Sequence, residues 1–592
     1  MIDLKSKQAI RVYWIVGAAV LGLLVWMEAR RTPQRRRTSE FGAQSQTDTQ
    51  DAENRCAGLV KNALVMLRPE SLGISSDTDT AVSLLNQWLR QCSGGLTRTK
   101  AAEEQERTST RLLAPAALER LYGKEFQSYD GFHIRDCLWC KRAVDFAAGK
   151  THRDLDRAVS LFYYVARNMH VADVGAPLTV FDAMLLGRGT AEHRAWVFAE
   201  LLRQLRIDAV ILRTASSEPA GGRDKLLVGV LIGSDVFLFD PRLGLPLPSP
   251  ADGVGTLLPS RPATLAEARR DPALLRQLDA GPNAPYPWRT EDFEHLQVDL
   301  IGNTSLWSVR MQTFQHVLVG ADTAVVFDGL DDSEFGPGLW SRVAEVGARQ
   351  QPAWNEETIR VWPFPEQQLA GKIHMNSKER RAFRSLYESL TVPIPLTSVE
   401  QVEDDDGRPQ LKLRFAPPQK LHLEKRTQQL LGDFAGAIQG YLLIRLWRDV
   451  PPTPKNVYVP REVAPILAAR VPERVKRPHQ QAAQEAFYRI AVCQYEQGEP
   501  GRARNTLRDF LNAFSDTPLS DPARLLMAVC QLEGGERAEA INTLKDIAED
   551  SALYPTARYL IRRWAQAEKP NGSSAARKKW SPCSRCFASV GS

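Results

Sequence analysis

Cysteine and histidine are scarce in this chain, which has eight and nine of them among 592 residues. So few cysteines over such a length exclude a small disulfide-rich scaffold. No cysteine occurs between Cys140 and Cys493, and no histidine occurs between His193 and His295. Chemistry that needs a thiol or an imidazole therefore has few residues to draw on in the central part of the chain.

Charge of one sign is not in marked excess either. The chain has 76 lysines and arginines against 70 acidic residues, and much of the excess lies near the N-terminus and in a basic tail. No basic stripe of the kind that binds nucleic acid is evident, so we expect no nucleic-acid partner. Hydrophobic residues make up 43% of the chain, as in ordinary globular proteins.

An uncharged apolar run, VYWIVGAAVLGLLVWM, covers residues 12–27. It is slightly shorter than the roughly 20 residues of a spanning helix, and aromatic residues stand near both ends. No small-residue cleavage site precedes Glu28, so the run predicts a retained anchor, with a cleaved signal peptide as the alternative. We expect a single-pass cell-membrane protein. Basic residues flank the run on both sides, which leaves the side of the membrane open.

A helix followed by a β-hairpin is predicted in residues 187–240. Thr190 follows a glycine turn and is a good N-cap. Apolar residues then recur at steps of four and three, at Ala191, Ala195, Phe198, Leu202 and Leu205. The runs LLVGVLI and DVFLFD predict two strands joined by a Gly233–Ser234 turn, with Pro241 ending the hairpin.

This pattern resembles the bacterial transglutaminase-like superfamily, which has a papain-like α+β fold. In that family a cysteine at the helix start, a histidine on the next strand and an aspartate before proline form a catalytic triad. The helix dipole stabilises the thiolate, and the imidazole carries the proton. By this resemblance Ala191 stands at the cysteine position, Lys225 near the histidine position and Asp240 at the acid position.

The resemblance therefore implies an inactive domain, and we expect no enzyme activity and no cofactor. Asp240 would equally suit a polar strand terminator before Pro241. One alternative is a cysteine-independent amidohydrolase or transglutaminase-like enzyme that uses Thr190 or His193. Another is a module that binds a peptide or a sugar in the vacated cleft.

Two further cysteine pairs have open assignments. Cys137 and Cys140 form a CxxC motif that suits buried thiols, a redox or disulfide pair, or a metal site with nearby histidines. Cys56 and Cys92 could pair if the body of the protein is exported.

Two segments near the C-terminus align at an offset of 37 residues, FYRIAVCQYEQGEPGRARNTLRDFL and RLLMAVCQLEGGERAEAINTLKDIA. They resemble the tetratricopeptide repeat, with a glycine ending the first helix of each pair. LLGDFAGAIQGYL repeats the second half, and SALYPTARYLIRRW predicts a final helix. Such repeats stack and often bind proteins, so we expect a protein partner here, with packing against the middle of the chain as the alternative.

The sequence thus predicts a multidomain α+β chain that acts as a membrane-anchored, non-catalytic scaffold. The predicted segments are a transmembrane anchor (1–28), a basic and polar linker (29–50), a helical region (51–150), a transglutaminase-like domain (151–250), a mixed α/β region (251–424) with β-like runs TAVVFD and LKLRF, helical repeats (425–567) and a disordered basic tail (568–592).

Overall fold

The computed structural model describes residues 41–69, 77–93, 108–214, 225–252, 257–320, 323–331, 336–350, 353–392, 398–403, 407–414, 420–446 and 473–566. The chain divides into two units, one ending at Gly58 and the other beginning at Leu59. The site described below lies entirely in the second unit. No helix in the described ranges is long and apolar enough to cross a membrane. The predicted anchor at residues 12–27 and the predicted tail lie outside them.

The described part of the chain starts with helices at residue 41 and continues as an α/β region. The elements up to the first long strand are α1 Phe41–Leu67, α2 Thr78–Cys92, α3 Pro115–Leu121, α4 Ser128–Ala147, α5 Asp154–Asn168, β1 His170–Val171, α6 Val180–Leu186, β2 Arg188–Gly189 and α7 Ala191–Arg203. The strands and helices that follow are β3 Asp208–Thr214, β4 Leu227–Ile232, β5 Asp235–Asp240, β6 Leu245–Pro246, α8 Leu265–Arg270, α9 Pro272–Arg276, β7 Leu296–Leu300, α10 Val309–Gln315, α11 Leu339–Arg349 and β8 Ile359–Val361.

The rest of the described chain is mostly helical. Its elements are α12 Phe364–Ile373, α13 Ser377–Tyr387, β9 Ser398–Glu403, β10 Pro409–Arg414, α14 Leu421–Leu430, α15 Phe434–Arg445, α16 Glu473–Glu496, α17 Pro500–Ala513, α18 Ser520–Glu533, α19 Arg537–Lys545 and α20 Tyr554–Gln566. Short 3-10 turns occur at Thr290–Phe293, Glu356–Thr358 and Glu388–Leu390.

One six-stranded sheet organises the α/β region, in the order β6-β5-β4-β3-β7-β8. All neighbouring strands are antiparallel except β7 and β8, which are parallel. The predicted hairpin is confirmed: β4 and β5 are joined at Gly233, whose φ of 62° suits the first position of a tight hairpin turn. Strands β7 and β8 come from the predicted mixed α/β region (251–424), so the sheet continues across the predicted boundary at residue 250.

The segment TAVVFD, at residues 323–328, was expected to be β-like but is not a strand. Residues 324–327 are buried, and side chains take the hydrogen bonds that a neighbouring strand would offer. Gln204 binds both peptide groups of Val325, and Gln315 accepts from the N–H of Val326. Buried peptide groups need partners, and glutamine side chains provide them here. The prediction for LKLRF is confirmed for its first four residues, Leu411 to Arg414, which lie in β10.

The C-terminal helices form the predicted antiparallel pairs α14–α15, α16–α17 and α18–α19, followed by the single helix α20. The first helix of each pair ends at a glycine with positive φ: Gly432 (88°), Gly498 (78°) and Gly535 (85°). In each case the next residue donates its N–H to a carbonyl five residues back, at 2.9 Å. This closure needs the left-handed conformation that glycine adopts readily.

Candidate functional site

The start of α7 is the place where the family resemblance puts the nucleophile. Thr190 caps this helix, and its hydroxyl accepts a hydrogen bond from the N–H of His193. Ala191 follows as the first helical residue and is 6% exposed. A methyl group offers neither a nucleophile nor a proton donor, so this helix start lacks the group that its dipole would activate.

Asp240 ends β5 and is fully engaged by its surroundings. Its carboxylate accepts hydrogen bonds from the Tyr286 hydroxyl at 2.7 Å and from the N–H groups of Arg242 and Leu243 at 2.7 and 3.0 Å. Burial raises the pKa of Asp240. These donors hold the turn that follows β5, which is the role of a polar strand terminator.

Lys225 lies just before β4, and its Nζ is 2.6 Å from a carboxylate oxygen of Asp292. Within the described residues, Lys225, Ala191 and Asp240 share no hydrogen bond. The three positions that the resemblance assigns to a triad therefore have separate partners.

Arg194 links the first turn of α7 to the segment after Asp240, and the sequence reasoning missed it. It is 2% exposed. Its guanidinium donates to the carbonyl of Pro241 at 2.7 Å and to that of Met169 at 2.6 Å. Burial lowers the pKa of Arg194 to about 10. The available signal was an arginine three residues after Ala191, on the face that the apolar residues define.

The side chains of His193 and Thr190 also contact each other, in addition to the capping hydrogen bond. Nδ1 of His193 lies 3.0 Å from the Thr190 hydroxyl oxygen, and Nε2 lies 3.2 Å from Oε1 of Gln368. Because Oε1 of Gln368 can only accept, Nε2 carries the proton and Nδ1 accepts from the hydroxyl. Burial lowers the pKa of His193 to about 4, so the ring is neutral at physiological pH.

Cys137 and Cys140 lie on α4 as buried free thiols. Sγ of Cys137 is 3.6 Å from Nε2 of His133. That imidazole is already held, since Nε2 donates to the Val326 carbonyl at 2.8 Å and Nδ1 accepts from the Asn303 amide at 3.2 Å. Cys137 therefore lies beside an imidazole, but both nitrogens of that imidazole are engaged and neither is available as a base for the thiol.

Burial also raises the pKa of the Cys137 thiol well above its usual range, and Glu200 adds to this effect. A nucleophilic thiol needs the opposite shift. Glu200 lies nine residues after Ala191, which is about 14 Å along the helix. Cys137 thus lies towards the other end of α7 from the predicted cysteine position.

The other cysteines of the described residues fall into two groups. Cys56 and Cys92 are each disulfide-bonded. Cys493 and Cys530 are buried free thiols in the repeats. Among the described residues, no group of three or more histidine, cysteine or acidic side chains is arranged to hold a metal ion.

The repeats pack against the α/β region, beside the turn that follows β5. In α20, Thr556 donates to the carbonyl of Leu243 at 2.8 Å, and Arg563 pairs with Asp252 at 3.0 Å. A cavity of about 90 Å³ remains here, lined by Arg194 and by apolar residues of the repeats. The segment beside Asp240 is therefore covered by the chain's own C-terminal helix.

A larger cavity, of about 720 Å³, lies between the α/β region and the repeats. We call it the inter-region cavity. The α/β region contributes Arg167, Asn168, His170 to Asp173 and Leu186 to Arg188. The other walls come from Ser385 and Leu386 of α13, from α14 and α16, and from the chain around the starts of α18 and α20. Its volume falls in the range of about 300–1,000 Å³ that is usual for ligand sites.

Arginines dominate the buried end of this cavity. Arg426 is 2% exposed and donates to the carbonyls of Asn168 and Met184 at 2.7 and 2.8 Å. Arg489 pairs with Glu485 at 3.5 Å. Gly187 lies between these two guanidiniums, because a Cβ there would be 3.2 Å from Arg426 Nη2 and 3.8 Å from Arg489 Nη2.

Comparison with known proteins identifies the repeats. A tetratricopeptide repeat model matches residues 485–517 and 522–551. These ranges cover the second half of α16 with α17, and α18 with α19, as the 37-residue offset predicts. No curated protein and no solved structure matches the chain. The chain therefore contains tetratricopeptide repeats at its C-terminal end, a class of structure that suggests a protein-binding role.

Proposed function

We propose that this protein is a membrane-anchored scaffold that binds protein partners and does no chemistry of its own. The observation that carries the proposal is the inter-region cavity, because tetratricopeptide repeats form one of its walls. Stacked helix pairs of this type offer an extended concave surface. Here the α/β region faces that surface across an open space of about 720 Å³.

The absence of catalysis is proposed from the start of α7 and its surroundings. A transglutaminase-like domain is supported by the order of elements, with a capped helix followed by antiparallel strands and an Asp-Pro at a strand end. Ala191 supplies no sulfur, and Lys225 pairs with Asp292. Removal of a triad nucleophile costs on the order of a million-fold in rate.

The membrane location is proposed from the apolar run at residues 12–27 and from cysteine usage. Cys56 and Cys92 are disulfide-bonded, and disulfides persist in oxidising compartments. We therefore place the body of the protein on the oxidising side of a cell membrane. The basic residues on both sides of the run are compatible with either orientation.

Site-specific photo-crosslinking in the native host tests the scaffold. A photoreactive amino acid replaces Gln480, an exposed residue at the rim of the inter-region cavity, and in a second strain it replaces Arg508, an exposed residue outside the cavity. We expect a discrete protein adduct from position 480 and none from position 508. Adducts at neither position, or at position 508 alone, would contradict the proposal.

A second candidate is a cysteine-independent enzyme, favoured by one contact, the 3.0 Å between the Thr190 hydroxyl and Nδ1 of His193. A hydroxyl beside a neutral imidazole nitrogen is the arrangement of an activated nucleophile. Incubation of the purified full chain with amide and peptidoglycan substrates separates the two candidates. Turnover that disappears in Thr190→Val would establish the enzyme, and no turnover is expected for the scaffold.

The vacated-cleft alternative has less support. The described cavity beside Arg194 has a volume of about 90 Å³, which is below the range usual for a peptide or sugar site.

A further inference from the structure

The buried end of the inter-region cavity has more positive than negative charge. Three arginines line this end, Arg188, Arg426 and Arg489, and the acidic residue that lines it beside them is Glu485. Glu485 pairs with Arg489 and also accepts from the Ser389 hydroxyl. Three guanidiniums therefore share one carboxylate, and two positive charges are left unmatched.

The other charged lining residues do not correct this excess. Arg167 pairs with Glu496 at 2.6 Å, and Asp521 pairs with Arg524 at 2.7 Å. Asp173 is exposed at the rim and accepts from the N–H of Gly175. Arg477 is also exposed at the rim and adds another cation.

The two unmatched cations are held by neutral groups. Arg426 donates to backbone carbonyls and to the Asn168 side chain, none of which carries charge. Arg188 donates to the carbonyl of Leu386 at 3.3 Å, while its buried Nε has no hydrogen-bond partner in the structure. Burial and the neighbouring Arg489 together lower the pKa of Arg426 to about 10. Arg426 is buried, and a buried charge needs a counter-charge.

The same arginines also affect the pKa of His170. Its ring lies 5.5 Å from that of Tyr488 in the cavity wall. Burial lowers the pKa of His170 to about 3, and Arg194, Arg426, Arg489 and Arg188 all contribute in the same direction. The histidine therefore stays neutral, and the arginines remain the cations of the site.

Amide side chains complete the lining. Gln480, Gln481 and Gln484 lie along α16 and face the cavity with Gln429 of α14. Gln429 is already held by Asn168 and by the Tyr441 hydroxyl, and Gln481 donates to Glu485. The amides of Gln480 and Gln484 can both donate and accept, as the peptide group of an extended segment requires. A lone phosphate ion would leave most of the 720 Å³ unfilled, whereas a peptide would use the amides and the arginines together.

We propose that the inter-region cavity binds an acidic, extended segment of a partner protein, whose carboxylates pair with Arg188, Arg426 and Arg489 at its buried end and with Arg477 at its rim. This inference rests on the proposed scaffold function and names the chemistry of the partner. Hydrogen bonds from a guanidinium to a carboxylate are charge-assisted and stronger than those to a neutral acceptor, so the site favours negatively charged segments.

A peptide-display selection on the purified full chain in detergent micelles tests the proposal. We expect the selected peptides to carry Asp or Glu at two or more positions, and their Glu→Gln analogues to bind about tenfold more weakly. Selection of neutral or basic peptides, or of none at all, would overturn the acidic assignment.

Two charge-reversal variants locate the binding site. Arg477→Glu should weaken the binding of a selected fluorescent peptide about tenfold, because it places a like charge at the rim. Arg508→Glu makes the same change outside the cavity and should leave the affinity unchanged. Equal affinities of the two variants would contradict the site. Arg188→Gln provides a second variant at the buried end and should also weaken binding, with thermal unfolding measured to confirm an intact fold.

Two further comparisons distinguish an acidic-peptide site from a phosphate site, and the failure of the acidic assignment from the failure of the scaffold function. Displacement of the peptide by inorganic phosphate, but not by acetate at equal ionic strength, would mark the cavity as a phosphate site and refute the proposal. If position 480 still cross-links to a protein while the selected peptides lack acidic residues, the acidic assignment fails and the scaffold stands. If both experiments fail, the scaffold function fails with it.

Discussion

The α/β region and the helical repeats are built on different principles. The repeats use local contacts between neighbouring helices, with the same glycine closure in each pair. The α/β region relies on buried polar contacts between distant parts of the chain. One example is the pair Arg310–Asp130, which is fully buried and separated by 180 residues. Local patterns are visible in a sequence, whereas pairs of residues that are distant along the chain are not.

The largest expected loss of stability comes from removing the buried ion pair Arg310–Asp130 in the α/β region. Arg310→Met removes both hydrogen bonds to Asp130, at 2.8 and 2.9 Å, and leaves a carboxylate buried without its cation. We expect a loss of about 3–5 kcal/mol in the free energy of unfolding. Denaturant unfolding of the purified protein measures it.

The matched control lies in the repeats. Arg502 pairs with Glu499 at 2.9 Å, but its side chain is 73% exposed. Arg502→Met should change the unfolding free energy by less than about 1 kcal/mol. Equal losses in the two variants would mean that the buried pair does not distinguish the regions.

A smaller effect concerns pH at the junction of the two regions. His422 donates from Nδ1 to the Ser389 carbonyl at 2.8 Å and accepts at Nε2 from Arg489 at 3.1 Å. Burial lowers the pKa of His422 to about 4, and the Arg489 cation acts in the same direction. Its stabilising contribution is present above the unfolded pKa near 6.5 and declines as the pH falls towards 4.

At pH 5 the loss from His422 should be roughly 2 kcal/mol relative to pH 7.5. Thermal unfolding of the wild type and of His422→Gln across this range isolates the contribution. The variant should show a shallower pH dependence, and parallel curves would rule out His422 as the source.

Two glycines of the repeats should respond to alanine with stability changes of opposite sign. Gly535 has a φ of 85° with open space around it, so Gly535→Ala should cost about 1–2 kcal/mol through backbone strain alone. Gly501 also has open space but lies within α17, where alanine should stabilise by about 0.5–1 kcal/mol. Calorimetry of the two variants measures both, and the same sign in both would contradict the assigned conformations.

The smallest effect is a difference in labelling rate between the four buried free thiols. Repeats open locally because their stability is a sum over neighbours, so Cys530 should react before Cys140 under native conditions. Alkylation followed by peptide mass spectrometry, in a variant with Cys583 and Cys586 changed to serine, gives the order. Without reductant, Cys56 and Cys92 should stay unlabelled even in denaturant. The reverse order of Cys530 and Cys140 would remove the proposed difference between the regions.

Sequence patterns predicted the parts of the molecule that repeat or alternate locally. The helix at Ala191–Arg203, the hairpin around Gly233 and the three closing glycines were all visible in this way. Residues 265–276 form two short helices, α8 and α9, and Pro272 begins the second because it cannot continue the first.

The sequence did not reveal the features that depend on long-range contacts. Strands β7 and β8 join the sheet from far along the chain, and residues 323–328 receive their hydrogen bonds from Gln204 and Gln315 rather than from a strand. The inter-region cavity needs walls from residues 168–188 and from residues 426–553. No local pattern records that these segments meet.

The last helix has a consequence for how this chain tolerates shortening. Trp564 of α20 is 2% exposed and donates from its indole N–H to the carbonyl of Leu257 at 2.9 Å, and Thr556 reaches the turn after β5. In an ordinary solenoid the final helix is a solvent-facing end cap, and losing it affects one neighbour. Here α20 also covers part of the α/β region. A stop codon before residue 554 would therefore expose apolar surface in a part of the protein encoded about three hundred codons upstream.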